Sequence, residues 1–370
     1  MPRADIKLVE DEYPSSVERT GHGLQRAFIL TMLQHIVVAQ APVQEEIDEK
    51  ENEMDDVPKE QPPLKVPNLI IGVEEPELYQ HPNRQRHLSK ILLKLAMGSI
   101  KGVADCTQII YSTHSPLFVD IKRFDKIRAL HKVPEETNKP KQTKVVYTNL
   151  DEIAKILEKA DGKPENTYTG STLEPRLQTL MTPWMNEGFF ADAAVLVEGE
   201  EDRAAILGVS AALGHDLESM GISVIPCMGK NNLDRPTAIF RKLQIRVYVI
   251  WDSDYGNKEA KPEDNHRLLR LFDQPIEDWP EKVTEQFACF KQTLNETLRT
   301  EIGEQLFDNA LNTFCERLCL GKKKYAVRNP QVIQEIINEA QNKGKSSKTL
   351  ENIISQIIAI RGTEPLVEGK

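Results

Sequence analysis

AAVLVEGEEDRAAI, Ala193–Ile206, and VYVIWDSD, Val247–Asp254, decide how this chain is read. Each is an apolar run that ends in acid: the first in Glu198-Gly199, the second in Asp252-Ser253-Asp254. Between them, Asp202 to Leu213 has helical apolar spacing, Ile222 to Pro226 is a third apolar run, and Leu233 to Leu243 is helical again. The order is strand, helix, strand, helix, strand, which predicts parallel strands joined by crossovers. Ligands of such sheets gather outside the carboxyl ends of the strands, where all three acids fall. A single acid after a buried strand is commonly a solvated loop residue or a helix cap. Three of them meeting at one sheet edge would repel one another until a divalent cation or a proton relieved the charge.

These residues resemble the Toprim domain, the fold shared by topoisomerases, bacterial primases and the overcoming-lysogenization-defect (OLD) nucleases. The resemblance rests on the Glu198-Gly199 pair, on Asp252 to Asp254, and on CMGKNNL, Cys227 to Leu233, where the OLD group has a similar Gly-Lys-Asn turn. It implies that Glu198, Asp252 and Asp254 bind magnesium, or manganese or calcium, as two ions. One of Glu200, Glu201 and Asp202 would serve a second metal position, and the spacing does not choose among them. Phosphodiester hydrolysis needs an activated water and a stabilised leaving oxygen, and two ions about 4 Å apart supply both. Hard carboxylate oxygens suit such ions, whereas thiolates would select softer ones.

Further along, ACFKQTLNETLRTEIG, Ala288 to Gly303, resembles a family segment with an acid ahead of a helix, which makes Glu296 a further metal candidate. GKKKYAVRNP, Gly321 to Pro330, resembles the region where the family sets a basic residue at the scissile phosphate. Lys322, Lys323 and Lys324 compete for that role, Lys323 and Lys324 being carried forward as catalytic candidates. An ammonium there would stabilise charge developing on phosphate. A solvated basic turn is the plain alternative.

A second signal lies upstream. LIIGVEEPELYQHP, Leu69 to Pro82, is an apolar strand ending in paired glutamates, and QIIYSTHSPLFVDI, Gln108 to Ile121, is another ending in Ser-Thr-His-Ser. They resemble the second half of an ABC-type ATPase head. By that resemblance Glu74 helps hold magnesium, Glu75 polarises the attacking water and His114 is the switch histidine near the terminal phosphate. GHGLQRAFIL, Gly21 to Leu30, resembles the signature segment that caps nucleotide on an opposing subunit, with Gly21, Gly23 and Gln25 as its candidate contacts. Glycines opening an amphipathic helix suit anion binding, because the first backbone N–H groups are unpaired. Standing alone, His114 would be a satisfied strand-end histidine and Glu74-Glu75 solvated charge.

No phosphate loop, G-x-x-x-x-G-K-[ST], precedes Gly21, and GKSS at Gly344 to Ser347 lacks the earlier glycine and a preceding strand, so it is expected to be a surface loop. The expectation is therefore a fragment or alternative-start product of a longer OLD-like protein, or a nucleotide-binding half supplied by a partner chain. Isolated, it should hydrolyse ATP poorly, since ATP would bind only with the missing half.

With 370 residues and 39% hydrophobic content there is room for two cores. The five cysteines show no CxxC pairing; Cys315 and Cys319 are expected to share a helix face as packed thiols, with neither disulfide framework nor zinc. No basic apolar leader or membrane-length run is present, so a soluble cytoplasmic protein without membrane partners is expected. The net charge of −10 does not advertise a nucleic-acid binder. Part of the excess lies in QEEIDEKENEMDDVPKEQPP, Gln44 to Pro63, which is acidic and Pro-punctuated, as a disordered surface insertion would be.

The expected layout is α/β: a partial ATPase domain over 1–160 with an acidic insertion at 41–66, a linker at 161–187, and a Toprim nuclease domain over 188–370 with C-terminal helices. Pro134 to Lys144 should form a hairpin or loop, Asp151 to Lys159 a short helix, and Gln331 to Ala340 and Leu350 to Ile360 packing helices. The expected activity is metal-dependent cleavage or nicking of DNA, regulated by the ATPase portion, in a homo-oligomer or with a partner ATPase, in phage defence or DNA repair. Two rivals are a non-catalytic assembly module and a topoisomerase- or primase-like enzyme. The latter would need a tyrosine nucleophile on another domain or a zinc module, and neither is evident.

Overall fold

The computed structural model describes residues 6–10, 12–21, 23–25, 28–29, 32, 69–98, 107–133, 140–178, 183–319 and 321–362. The acidic insertion, most of the signature helix and Cys106 lie outside them. The chain divides into two compact units, Met1–Phe118 and Val119–Lys370.

In the first unit, β1 (Lys7–Glu10) and β2 (Tyr13–Ser16) form an antiparallel hairpin. β3 (Leu69–Glu74) runs parallel to β4 (Thr107–Ser112), with Glu74 opposite Ser112. A parallel pair needs a crossover, and α1 (Pro82–Ala96) lies between them in sequence and packs on β4. His81 caps α1 and Pro82 opens it, where the missing N–H costs nothing.

The second unit starts with a 3-10 segment, Ile121–Lys126, and a hairpin of β5 (Ala129–Val133) and β6 (Gln142–Val146), as the polar stretch between them predicts. α2 (Leu150–Ala160), capped by Asn149, follows where a short helix is expected. The 161–172 stretch is not a loose linker. Buried Glu158 accepts hydrogen bonds from the backbone N–H of Asn166 (3.1 Å) and Tyr168 (2.8 Å), and Tyr168 donates its hydroxyl to Asp161 (2.6 Å). These bonds close the turn onto α2 and lead into α3 (Gly170–Leu177) and α4 (Pro183–Glu187). The compact second unit thus takes in residues 119–187, ahead of the expected start at 188, because the apolar face of α2 packs on two helices of the later fold.

That fold is β7 (Ala193–Val197), α5 (Glu200–Ala212), β8 (Ile222–Pro226), α6 (Asp234–Lys242), β9 (Val247–Asp252), α7 (Pro262–Leu271), β10 (Lys282–Val283), β11 (Phe287–Phe290), α8 (Leu294–Ile302), α9 (Glu304–Arg317), α10 (Lys323–Val327), α11 (Pro330–Asn342) and α12 (Lys348–Gly362). The sheet order is β10-β11-β9-β7-β8, parallel throughout except for the edge strand β10. Alternate residues of the strands feed two cores. Val195, Val197, Tyr248 and Ile250 face α5, α8, α11 and α12, whereas Leu196, Val249 and Trp251 face α2, α3, α6 and α7. Burial on both faces explains why β7 is apolar at every position.

Both C-terminal packing helices form as expected. α11 crosses α5 at Gly208, where a Cβ would stand 2.6 Å from both the Ile333 Cβ and the Pro330 carbonyl oxygen. The GKSS turn is a surface loop only at Gly344 and Lys345: Ser347 is buried, its hydroxyl meets Glu301, and it accepts the Leu350 N–H at the start of α12. Another expectation fails. α9 ends at Arg317, and Cys319 lies beyond it at φ 51°, exposed, so it does not pack beside Cys315.

Because neither backbone at the α5–α11 crossing can retreat without opening the core, Gly208→Leu should lower stability by more than 3 kcal/mol, in order of magnitude, with Gly208→Ala intermediate. Urea denaturation followed by circular dichroism checks this; an unchanged midpoint for Gly208→Leu would contradict the close crossing.

Candidate active site at the carboxyl edge of the sheet

β7 and β9 are neighbours and parallel, so their carboxyl ends open on the same side. Glu198 is the first residue beyond β7, Asp252 closes β9, and Asp254 follows in a left-handed turn at φ 64°. Short polar side chains tolerate that conformation, which costs about 1 kcal/mol or more and is typical of sites held in place by their surroundings. Glu198 Oε1 accepts the Asp252 backbone N–H at 2.8 Å, fastening the two strand ends together. Asp252 Oδ1 in turn accepts the Leu294 N–H at 2.8 Å, the first residue of α8, so the positive end of that helix faces the carboxylate.

The three acids after Gly199 stand in different surroundings. Asp202 is buried and turns back to accept the Gly199 N–H at 2.9 Å. Glu201 instead pairs with Arg328 at 3.2 Å, and Glu200 stands on the first turn of α5. Asp202 therefore joins Glu198, Asp252 and Asp254 in one mutually repelling group.

Burial pushes Glu198 up to about 7; Lys230 and the Asp252 N–H pull the other way, and Asp202 and Asp254 add to the rise. Burial likewise raises Asp202 to about 6, against the Gly199 N–H, with Glu201 and Asp254 adding to it. Asp252 rises well above an ordinary aspartate, first through burial, then through Asp202 and Glu198. Desolvation and like charge act together here, the pattern expected where a cation belongs.

Lys230 is the resident positive charge. Its side chain is only 9% exposed and its Nζ lies 2.6 Å from Asp254 Oδ2. The CMGKNNL turn delivers it: Gly229, at φ 120°, adopts a backbone that a Cβ would oppose and donates its N–H to the Glu198 carbonyl at 2.8 Å. Sequence reading noticed the turn but did not count Lys230 among the site residues. The signal was there, a lysine between Gly229 and two asparagines after an apolar strand.

A hard divalent ion fits these donors in kind, since Glu198, Asp202, Asp252 and Asp254 are oxygen ligands that burial and repulsion leave wanting a cation. Their arrangement is less complete. Among the described residues no three His, Cys, Asp or Glu side chains stand ready to hold a metal ion. One oxygen each of Glu198, Asp202 and Asp252 is taken by a backbone N–H, and Asp254 by Lys230.

The other sequence candidates are placed as follows. Glu296 sits at the third position of α8 and pairs with Arg299 at 3.3 Å, which itself binds Asp308 at 2.8 Å. Lys322, Lys323 and Lys324 are exposed at the start of α10, with Lys323 acting on Asp308. From the same segment Arg328, missed as a candidate, reaches Glu201 on the first turn of α5. In the first unit, His114 Nε2 lies 3.6 Å from Glu75 Oε1, and Glu75 adopts φ 43°. Glu77 ties the two motifs together, accepting the His114 N–H at 2.7 Å and the Thr113 hydroxyl at 2.8 Å. Glu74 is exposed at the end of β3. Gly23 accepts a hydrogen bond from Gln80 at 3.3 Å through its carbonyl, Gly21 starts the described turn of the signature segment, and Gln25 donates to Thr20 at 2.9 Å.

Two family models match. Residues 189–254 match the model "Overcoming lysogenization defect protein-like, TOPRIM domain", the span that holds all four clustered acids and Lys230. The chain carries an OLD-like TOPRIM domain. Residues 2–119 match an AAA ATPase domain model, which ends one residue past the first compact unit. An OLD nuclease of Thermus scotoductus is 31% identical over 197 residues, covering 53% of this chain and 33% of that protein. The Old nuclease of Escherichia phage P2 is 23% identical over 242 residues, covering 65% of this chain and 34% of that protein. The chain thus spans about a third of the length of the curated relatives it matches. The solved C-terminal region of the Burkholderia pseudomallei OLD protein is similar over 47% of this chain and all of its own, at 19% identity and a TM-score of 0.30. No helix among the described residues is long and apolar enough to cross a membrane.

The raised proton affinity of Glu198 sets a pH dependence for the TOPRIM domain. The folded state holds this proton more tightly than the unfolded chain, so its stabilisation is complete below the ordinary carboxylate value and is lost as pH climbs to about 7. Without divalent cations, Glu198→Gln should gain about 2–3 kcal/mol relative to wild type between pH 5 and pH 8, allowing for partial solvent access. Urea titrations at the two pH values measure it, and parallel pH dependences would remove the buried-acid reading.

Proposed function

We propose that this chain is a divalent-metal-dependent endonuclease or nickase of the OLD type, acting on DNA phosphodiesters at the TOPRIM carboxyl edge. The observation that carries the reading is the four-acid group of Glu198, Asp202, Asp252 and Asp254, gathered from two adjacent strand ends and one helix start. Hydrolytic cleavage fits a site with oxygen donors and a nearby ammonium. The described cysteines form no disulfide, and Cys227 and Cys289 are buried. The named nuclease relatives support the same reading.

In this reading Glu198, Asp202, Asp252 and Asp254 would hold magnesium or manganese, with Glu296 a further candidate that is paired with Arg299 here. A bound ion supplies a water of lowered pKa and charge stabilisation at the leaving oxygen. The protein's own residues do the rest. The α8 N-terminus and the Asp252 N–H orient the carboxylates, and the two packed cores hold the strand ends at fixed spacing. Arg328 is the cation of the Gly321–Pro330 segment tied to the start of α5, and with Lys323 and Lys324 it offers positive charge to the DNA backbone. Backbone contacts of this sort position DNA without reading its sequence.

The ATPase-like unit regulates rather than cuts. The Glu75–His114 contact and the Glu77 bridge, which join the segments after β3 and β4, support the reading of Glu75 as the water-polarising acid and His114 as the switch histidine. Subunits or a partner ATPase associate through this unit.

Supercoiled plasmid incubated with Mg2+ or Mn2+ should be nicked or cut by the wild type, with Asp252→Ala reducing the rate at least about 100-fold and EDTA abolishing it. Equal activity in both proteins, or none in either, would turn the assignment toward an assembly module.

A further inference from the structure

The TOPRIM acids are the right donors for a divalent ion yet are not arranged as a ready cage, and a lysine side chain only 9% exposed stands against one of them. Lysine is seldom buried without a partner, and Lys230 is nearly enclosed with its ammonium on Asp254. It is also the leading charge that lowers the proton affinity of Glu198, so it acts on Glu198 as well as on Asp254.

Its position is built in. Gly229 fastens the turn to the strand end bearing Glu198, and the 3-10 turn Lys230–Asn232 follows at once. Arg267 donates to the Asn231 side chain, and Arg235 donates to the Asn231 carbonyl at 2.9 Å and to Asn232 Oδ1 at 2.7 Å. Both arginines are themselves tied to Asp234, at the start of α6. The backbone under Lys230 is therefore held from both sides. The lysine stem above it keeps four rotatable bonds.

We propose that Lys230 is a resident counter-cation that a divalent ion must displace from Asp254, so that it limits how tightly and in what number the TOPRIM site takes metal. The inference rests on the reading that these acids bind a divalent ion. Two positive charges cannot share one carboxylate oxygen without strong repulsion in a partly dry site. Glu198, Asp202 and Asp252 would be left to hold an ion while Lys230 stays on Asp254, and recruiting Asp254 as a ligand would require the ammonium to leave it.

Isothermal titration of the full chain with Mn2+ near pH 8 tests this without reference to cleavage. Lys230→Met and Lys230→Gln should bind Mn2+ about tenfold more tightly than wild type, or take a further equivalent, while Lys230→Arg, which keeps the charge, should stay near wild type. Thermal melts should show a larger Mn2+-induced rise for the two neutral variants. Folding of Lys230→Met only when Mn2+ is present would be the extreme of the expected result. Equal or weaker Mn2+ binding in the neutral variants, or their failure to fold with and without Mn2+, overturns the inference and leaves Lys230 as a positioning residue for Asp254. If neither wild type nor any variant binds Mn2+, the metal-dependent reading falls together with it, whereas binding lost only in Glu198→Gln and Asp252→Asn variants keeps that reading intact whatever Lys230 does.

Discussion

Negative charge gathered in a half-dry cleft is the constraint on which the rest of this molecule turns. Glu198, Asp202, Asp252 and Asp254 come from two neighbouring strand ends and the first turn of one helix, and burial together with neighbouring carboxylates raises the cost of ionising Glu198, Asp202 and Asp252. The fold offsets that cost by several small means. Backbone N–H groups of Gly199, Asp252 and Leu294 each point at a carboxylate, the α8 N-terminus faces Asp252, and Lys230 sits against Asp254. None neutralises the group fully, since hydrogen bonds shift a carboxylate's charge balance without cancelling it. The remainder is an appetite for protons or cations, the property that phosphoryl chemistry uses.

Such a cluster persists only on a stiff support. The parallel sheet is buried on both faces, with Val195 and Tyr248 toward one layer of helices and Leu196 and Trp251 toward the other. Trp251, immediately before Asp252, stacks on Phe287 at 4.9 Å between ring centroids, so the strand end cannot tilt without disturbing the core. The close crossing at Gly208 brings α11 against α5, the helix that carries Asp202. Packing remote from the acids therefore sets their spacing. The first unit shows the same economy on a smaller scale, with Glu77 bonded to Thr113 and His114 so that two motifs far apart in sequence are tied together.

Much of this was legible in order and kind. Apolar runs ending in acid announced strands whose ends matter, and the strand-helix alternation announced the parallel sheet, because an L-residue chain with that pattern has few other ways to bury its apolar residues. The extent of the second unit was not legible. Residues 161–172 look like a linker by composition, yet the buried Glu158 gathers their backbone N–H groups and α2 packs on α6 and α7, contacts that no local pattern encodes. Cys319 misled for a related reason: its spacing from Cys315 is helical, but the helix stops at Arg317.

The amino-acid sequence by itself determined which chemistry is available, namely hard oxygen donors at strand ends and a glutamate–histidine pair upstream, because residue type and periodicity are local properties. Only the tertiary structure decided which members of each set stand together. It turned Asp202 inward and Glu201 out to Arg328, left Lys323 and Lys324 in solvent, and brought Lys230 from a neighbouring turn onto Asp254. Those choices depend on sheet order and helix crossings, distances through space that a linear pattern does not contain.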